Sequence, residues 1–142
     1  QTEADHYKSI VEDTVIYYEI LKNKALDDGY SLSAEKEEEC NVTAQATFDS
    51  FSAEQVKQSG ISFEGIRAAL RTQELALIYE EKIKDGLSQK EDYLAIQSEE
   101  DKASYIRKGI DLVYEELKRQ YQVVANQDLL DTIEFGKVTI VE

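Results

Sequence analysis

The chain of 142 residues lacks proline, methionine and tryptophan, and it contains only six glycines, one cysteine and one histidine. The absence of proline favours helix, because no residue fixes φ or removes a backbone donor. A single cysteine, Cys40, excludes an internal disulfide. A single histidine, His6, excludes a multi-histidine metal site and a histidine-based catalytic triad within the chain.

Charge of one sign dominates the composition. Thirty acidic residues stand against sixteen basic ones, which gives a formal net charge of −14. Such a surface repels phosphate, so the composition argues against nucleic-acid partners and against docking on anionic lipid. No apolar run approaches the length of a membrane span, so no direct membrane insertion is expected. The acidity is accounted for by solubility, and the alternative is a preference for basic partners.

The missing methionine also bears on the origin of the chain, which begins at Gln1. We expect a processed or trimmed product, formed either by loss of a signal segment or by excision of a domain from a longer protein. A lone cysteine fits the cytosol, and it fits equally well those bacterial proteins outside the cytoplasm that do without disulfides.

Three triplets of the form Gly-apolar-Ser punctuate the sequence. Glycine adopts the left-handed conformation that closes a helix, the apolar residue packs back on the last turn, and serine caps the next helix. Each triplet therefore predicts the end of one helix and the start of another after a very short connection. After the first triplet, Ser33 is the better cap, because acidic residues follow it in the first turns. The triplets begin at Gly29, Gly60 and Gly86.

Between these junctions the apolar residues recur with helical spacing. The pattern predicts an elongated all-α bundle of five to six helices, in one domain that covers residues 1–142. The run 137–141 is β-branched and is typical of a short C-terminal strand, or of a tail ordered beside a partner. The expected helices are roughly Glu3–Asp28, Ser33–Ser50, a short one after Ser52, Ser62–Asp85, Ser88–Ile96 and Ser98–Val124.

Two of the expected helices carry stripes that matter for packing. In the second helix, Val42, Ala46 and Phe48 are the expected apolar anchors. The last helix has the most regular stripe, a narrow seam suited to lying along another long helix. Its members are Ala103, Ile106, Ile110, Val113, Leu117, Tyr121 and Val124.

No arrangement of residues predicts catalysis, a cofactor or a metal site. Cys40 follows three glutamates, and neighbouring carboxylates suppress the thiolate that a catalytic cysteine needs. Half of an EF-hand loop surrounds Gly29, but Lys24 stands where calcium requires a carboxylate. Adjacent acidic pairs are expected by chance among thirty acids. The sequence therefore predicts a binding protein that is not an enzyme.

Two segments resemble a known family of chaperone domains. The run from Leu21 to Glu35, LKNKALDDGYSLSAE, resembles the first helix and turn of the SurA-type N-terminal chaperone domain, and the trigger factor C-terminal domain uses a similar turn. The run from Gly60 to Gln73, GISFEGIRAALRTQ, resembles the second landmark, where a helix opens on Gly-apolar-Ser and carries an arginine-rich face. The resemblance covers about Asp5 to Val124.

The resemblance implies a helical cradle that holds unfolded or extended polypeptide in a bacterium, outside the cytoplasmic membrane. The protein would be secreted or at the cell surface, where a lipid anchor on a missing N-terminal segment is one way to hold it. Such domains often accompany a parvulin-type prolyl isomerase domain. This chain has neither the length nor the histidines for one, so isomerase activity is not carried over and such a domain would have to flank the chain in a longer protein.

Aromatic residues are the candidates for client binding, because amphipathic tyrosine can line a surface that accepts apolar segments. We expect a groove faced by Tyr17, Tyr18, Phe48, Phe51 and Tyr79, whose acidic rim favours positively charged clients. The alternative for these residues is that they only cover the edge of the core.

Two other classes of function stay open. One is an interaction module that forms a homodimer through the seam of the last helix or through its C-terminal tail. The other is a helical enzyme with a metal or cofactor bound at carboxylates.

Overall fold

The structure, a computed structural model, describes the backbone of residues 3–121 and the side chains of residues 9–121. This part of the chain contains six helices and no strand, which confirms the predicted all-α bundle. The strand predicted at 137–141 and the predicted end of the last helix at Val124 lie outside the described residues. The helices are α1 Glu3–Asp27, α2 Ala34–Asp49, α3 Ala53–Ser59, α4 Phe63–Ser88, α5 Glu91–Leu94 and α6 Glu99–Gln120.

The central element of the bundle is α4. The helices α1, α2, α5 and α6 each pack against it, and α1 also packs against α6. One side of α4, here called its inner face and defined by Ala69, Thr72, Ala76 and Leu87, is buried. These positions recur at three- and four-residue steps and multiples of them, so they form one stripe of the helix. None of the helices in residues 3–121 is both long and apolar enough to cross a membrane.

Two apolar clusters lie against α4. The first joins α1, α4 and α6, and its buried members are Ile20, Leu21, Ala76 and Leu117. The second joins α2 to the beginning of α4 and the residues just before it, and its buried members are Ala44, Ile61 and Ile66. Burying one such aliphatic side chain contributes about 1.5–3 kcal/mol, so these contacts rather than helix propensity fix the arrangement of the helices.

The first predicted junction is confirmed in detail. Gly29 has a φ of 90°, in the left-handed region. The backbone N–H of Tyr30 donates to the carbonyl of Ala25 at 2.9 Å, and that of Gly29 donates to Leu26 at 3.0 Å. These two hydrogen bonds form a Schellman motif, which satisfies the free carbonyls at the end of α1. Ser33 then caps α2, its side chain accepting from the backbone of Lys36.

The second predicted junction is also confirmed. Gly60, with a φ of 75°, closes α3 by donating its N–H to the carbonyl of Val56. Ser62 caps α4 and accepts from the backbone N–H of Gly65 at 3.0 Å. The predicted cap of α3 is present as well: the Ser52 side chain accepts from the backbone N–H of Gln55, and the Gln55 side chain accepts from the backbone N–H of Ser52, which forms a capping box.

The third predicted junction is wrong. The helix α4 does not stop at Asp85 but continues through Gly86 to Ser88, and α5 is a single turn, Glu91–Leu94, instead of Ser88–Ile96. The physical reason is Leu87, which is buried and covers Gly109 of α6. That long-range contact is made by a residue of the last helical turn, so it favours keeping this turn helical.

The predicted apolar anchors of α2 need a correction. Val42 is 60% exposed and Ala46 is exposed too, while Cys40 and Ala44 are buried and Phe48 is half-buried. The reason is that polar contacts set the rotation of this helix. Glu37 and Asn41 lie on the same side as Ala44 and Phe48, and both of them bind arginines of α4.

We expect Leu21→Ala to lower the free energy of unfolding by about 2–5 kcal/mol, because it leaves a cavity in the first cluster. Leu21 is fully buried, at 0% exposure. Leu112→Ala is the matched control: Leu112 is 72% exposed, so its loss changes stability by no more than about 0.5 kcal/mol. Urea unfolding followed by circular dichroism measures both, and equal losses would contradict the assigned core.

Substitution of Gly29 and of Gly86 by alanine should change the free energy of unfolding in opposite directions. Gly29→Ala destabilises by about 1 kcal/mol, because alanine is strained at positive φ. Gly86→Ala stabilises by up to about 1 kcal/mol, because Gly86 lies inside a helix. A Cβ at either position meets no atom within 4 Å, so the backbone alone decides the sign. A destabilising Gly86→Ala in thermal unfolding would argue for the helix end that the sequence predicted.

Candidate functional site

An open groove lies on the flank of the contact between α2 and α4, here called the α2–α4 groove. Its volume is about 510 Å³. Val42 and Phe63 supply its apolar surface, and Phe63 packs against the second apolar cluster behind it. The full lining is Glu38, Asn41, Val42, Gln45, Phe63, Glu64 and Arg67.

Some of the polar residues of this groove already form hydrogen bonds within the protein. The Asn41 side-chain oxygen accepts from Arg67 Nε, and Gln45 Nε2 donates to Asp49 at 2.7 Å. Glu38 and Glu64 form no ion pair within residues 9–121. The groove therefore offers amide groups that are held in place, an exposed apolar surface and two unpaired carboxylates. These are groups that can contact the backbone and the side chains of another polypeptide.

A second open groove lies between the α1–α2 connection and the last turns of α4, here called the loop–α4 groove. Its volume is about 630 Å³. Tyr30 forms one wall, and the Lys82 ammonium lies over the tyrosine ring, 5.2 Å from its centroid. The remaining lining comes from α4: Ile78, Glu81, Asp85 and Gly86.

Both grooves use one side of α4, here called its outer face and defined by Arg67, Glu74, Ile78, Glu81 and Asp85. Eleven residues, or about three turns, separate Arg67 from Ile78, and seven residues, or about two turns, separate Ile78 from Asp85. Leu87 of the inner face lies nine residues beyond Ile78, about two and a half turns. The outer face is therefore turned away from α6.

The helix α2 covers only the first half of the outer face. It runs antiparallel to α4: Arg67 contacts Asn41, Arg71 Nε donates to Glu37 at 2.6 Å, and Glu74 pairs with Lys36 at 3.8 Å. Lys36 belongs to the first turn of α2, so the cover ends there. Beyond Glu74, the lining that residues 9–121 add to the outer face comes from the loop residue Tyr30, and this is where the loop–α4 groove opens.

A group of tyrosines joins α1, α4 and α6 on the opposite side. The Tyr17 hydroxyl donates to Glu80 at 2.8 Å, and its ring lies 4.9 Å from that of Tyr114 and 5.9 Å from that of Tyr18. Burial of the Tyr17 ring, and then its contact with Glu80, raise the pKa of the hydroxyl far above its ordinary value. These contacts tie three helices together.

The five predicted client-binding residues do not share one surface. Tyr17, Tyr18 and Tyr79 pack against the first apolar cluster. Phe48 and Phe51 pack against the second. All five are half-buried, and none of them lines either of the two grooves. The structure thus brings the three tyrosines together and separates them from the two phenylalanines.

The residues that do line the grooves were missed as a set. The sequence predicts Val42 as an apolar anchor of α2, and it places Tyr30 in the helix junction that begins at Gly29. One sequence signal bears on Val42. If the polar side chains of Arg67 and Asn41 mark the sides on which α4 and α2 meet, then Val42, the residue after Asn41, faces outward. No local pattern relates Tyr30 to residues 78–86, because their contact depends on the packing of α1 against α4.

Within the described residues, no group of three or more histidine, cysteine, aspartate or glutamate side chains is arranged to hold a metal ion. Cys40 is buried. Burial raises the pKa of its thiol, and the carboxylates of Glu74 and Glu37 raise it further. The thiol is therefore held in its protonated form at neutral pH, as the neighbouring glutamates predict.

No protein-family model, no curated protein and no solved structure matches the chain. The resemblance to SurA-type and trigger factor chaperone domains therefore stays a prediction from the two segments that carry it.

The pKa shifts of the tyrosines predict how stability depends on alkaline pH. The folded chain retains the Tyr17 proton, and the unfolded chain loses it above the ordinary value of 10.0. The hydrogen bond to Asp27 likewise raises the pKa of Tyr121 to about 12. Stability gained from these groups is complete below pH 10 and is lost as the pH rises beyond it.

We therefore expect the free energy of unfolding to fall above pH 10, and to fall less steeply in Tyr17→Phe. Below that pH the variant loses about 0.5–1.5 kcal/mol, because Glu80 loses its hydrogen-bond donor. Urea unfolding at a series of pH values measures both effects. An identical pH slope in the two proteins would contradict the assignment of the shift to Tyr17.

Proposed function

We propose that this chain is a chaperone-like domain that binds unfolded or extended polypeptide without catalysis. The observation that carries the proposal is the position of two open grooves along one outer face of α4. Each groove is lined by both apolar and polar groups, which suits a segment of polypeptide chain.

The size and openness of the grooves favour a chain as the ligand. From Ile78 to Gly86, the part of α4 that lines the loop–α4 groove, the helix rises about 12 Å, which corresponds to about three or four residues of extended polypeptide. Small-molecule sites are concave and bury most of their ligand, whereas both of these grooves are open to solvent. Neither groove is lined by serine, threonine, cysteine or histidine, and this supports binding in place of covalent chemistry.

The resemblance in sequence supports the same proposal. SurA-type and trigger factor chaperone domains are helical, and the predicted helix junctions at Gly29 and Gly60 are the segments that carry the likeness. The proposal includes the compartment that the resemblance implies, a bacterial location outside the cytoplasmic membrane. The net charge of −14 favours positively charged clients.

Val42 provides a test of binding in the α2–α4 groove. We expect Val42→Ser to weaken the binding of a fluorescein-labelled extended peptide about fivefold to tenfold, because about 1 kcal/mol or more of apolar contact is lost. The control is Leu94→Ser on α5: Leu94 is 65% exposed but lines neither groove, so its loss leaves the affinity unchanged. Fluorescence polarisation measures both. Equal effects of the two variants would argue against the groove.

Chaperone-like action requires more than peptide binding. The domain should suppress the aggregation of a chemically denatured protein on dilution from denaturant, measured by light scattering, and Val42→Ser should suppress it less. Unchanged aggregation in the presence of excess domain would reject a chaperone-like role.

A homodimer through α6 is the second candidate. The observation that favours it is Leu112, which is 72% exposed in the middle of α6. Of the predicted seam, Leu117 is buried, Ala103 is exposed, and Ile106, Ile110 and Val113 are half-buried. Sedimentation velocity at low and high protein concentration separates the candidates: a dimer that Leu112→Glu dissociates would favour the interaction module.

A further inference from the structure

We infer that the loop–α4 groove binds a cationic side chain, an arginine or a lysine, of an extended polypeptide. The inference rests on the proposed function for the class of ligand, and it assigns a chemical preference to one of the two grooves. Tyr30 and Ile78 form the body of the groove, and Glu81 and Asp85 form its rim.

The rim has negative charge that the fold does not use. Glu81 and Asp85 lie one helical turn apart, both are exposed, and neither forms an ion pair within residues 9–121. The neighbouring Glu80 is different, because it accepts from Tyr17 and pairs with Lys84 at 3.3 Å. A cation from outside is the group that would complement the two free carboxylates.

The half of the outer face that α2 covers contains an ion pair of the same kind, between a carboxylate of α4 and a cation of another segment. Glu74 lies two turns before Glu81 on this face, and it receives Lys36 from the first turn of α2, at 3.8 Å. The cover provided by α2 ends at this point. A client chain that continues along the outer face would present its own cation to Glu81 and Asp85, as α2 presents Lys36 to Glu74.

The tyrosine wall already holds a cation of this chain. The Lys82 ammonium lies 5.2 Å from the centroid of the Tyr30 ring, within the range of a cation–π contact. Tyr30 itself is held by its backbone hydrogen bond to Ala25 in the Schellman motif. Lys82 therefore shows that the ring face is accessible to a cation, and it competes with a cation supplied by a client.

The length of the groove limits how much of a client it contacts. From Ile78 to Gly86, α4 rises about 12 Å, enough for about three or four residues of extended chain. One or two basic side chains next to an apolar one match this length. The apolar side chain would lie against Ile78, and the basic ones against the rim.

A pair of peptides tests the charge preference. One fluorescein-labelled peptide has a central phenylalanine between two arginines, and its twin has citrulline, which is neutral and of similar shape, in place of both arginines. We expect the arginine peptide to bind roughly five- to tenfold more tightly, as expected for two exposed ion pairs. In about 1 M salt, where the screening length is about 3 Å, this advantage should disappear.

Variants locate the preference in the groove. The double variant Glu81→Gln/Asp85→Asn should bind the arginine peptide no more tightly than the citrulline peptide, while its affinity for the citrulline peptide stays that of the unmodified chain. The double variant Glu100→Gln/Glu116→Gln removes the same charge from exposed positions of α6 and should keep the full preference. A control that loses the preference equally would overturn the inference, because net charge would then explain it.

Lys82→Met gives a test by gain of affinity, which no folding defect can imitate. It vacates the face of Tyr30, so the arginine peptide should bind roughly two- to fivefold more tightly, with no change for the citrulline peptide. Lys108→Met, which removes an exposed cation from α6, is the control and should change neither affinity. Unchanged or weaker binding of the arginine peptide to Lys82→Met would overturn the inference.

The outcomes separate the inference from the proposed function. If neither peptide binds, the polypeptide-binding function itself fails, and the inference fails with it. If both peptides bind equally and the loop–α4 groove variants change nothing while Val42→Ser weakens both, the proposed function stands and the inference is wrong. A preference for arginine that Glu81→Gln/Asp85→Asn abolishes supports both.

Discussion

Burial of the inner face of α4 is the constraint on which the rest of the structure depends. Ala69, Thr72 and Ala76 leave little side chain between this helix and its neighbours, so α1 and α6 approach it closely on one side. The same helix carries Ile66 into the second apolar cluster with α2. Both faces belong to the same rigid helix. Packing that fixes the rotation of α4 about its axis at the inner face therefore also fixes the direction of the outer face. The position of both grooves follows from that packing.

Local chemistry explains why the sequence predicts so much of this fold. Left-handed glycines and serine caps act within a few residues, so the junctions at Gly29 and Gly60 are readable without any tertiary information. Gly86 shows the limit, because the same triplet lies inside a helix when its leucine is buried. The deciding contact joins Leu87 to Gly109, and no local pattern contains it.

The candidate site is predictable to a smaller extent, and for the same reason. Aromatic residues are the predicted binding groups, but in this bundle they also fill the space that the small residues Ala69, Thr72 and Ala76 leave. Tyr17, with its ring beside Tyr114 and its hydroxyl on Glu80, illustrates this. Glu37 and Asn41 set the rotation of α2, and this rotation determines which side chains of α2 are exposed in the α2–α4 groove. That rotation depends on contacts between residues of α2 and α4 that are far apart in sequence: Asn41 and Arg67 are 26 residues apart, and Glu37 and Arg71 are 34 residues apart.

The division of α4 into two faces also bears on how function and stability are related in this molecule. Glu81 and Asp85 of the outer face are exposed and form no ion pair within residues 9–121, so their substitution alters surface chemistry without opening a cavity. Residues of the inner face contribute to folding and are remote from the two grooves on the other side. Evolution can therefore change the charge at Glu81 and Asp85 at little cost in stability. The proposed preference for basic clients is then a property that can vary independently of the packing of the fold.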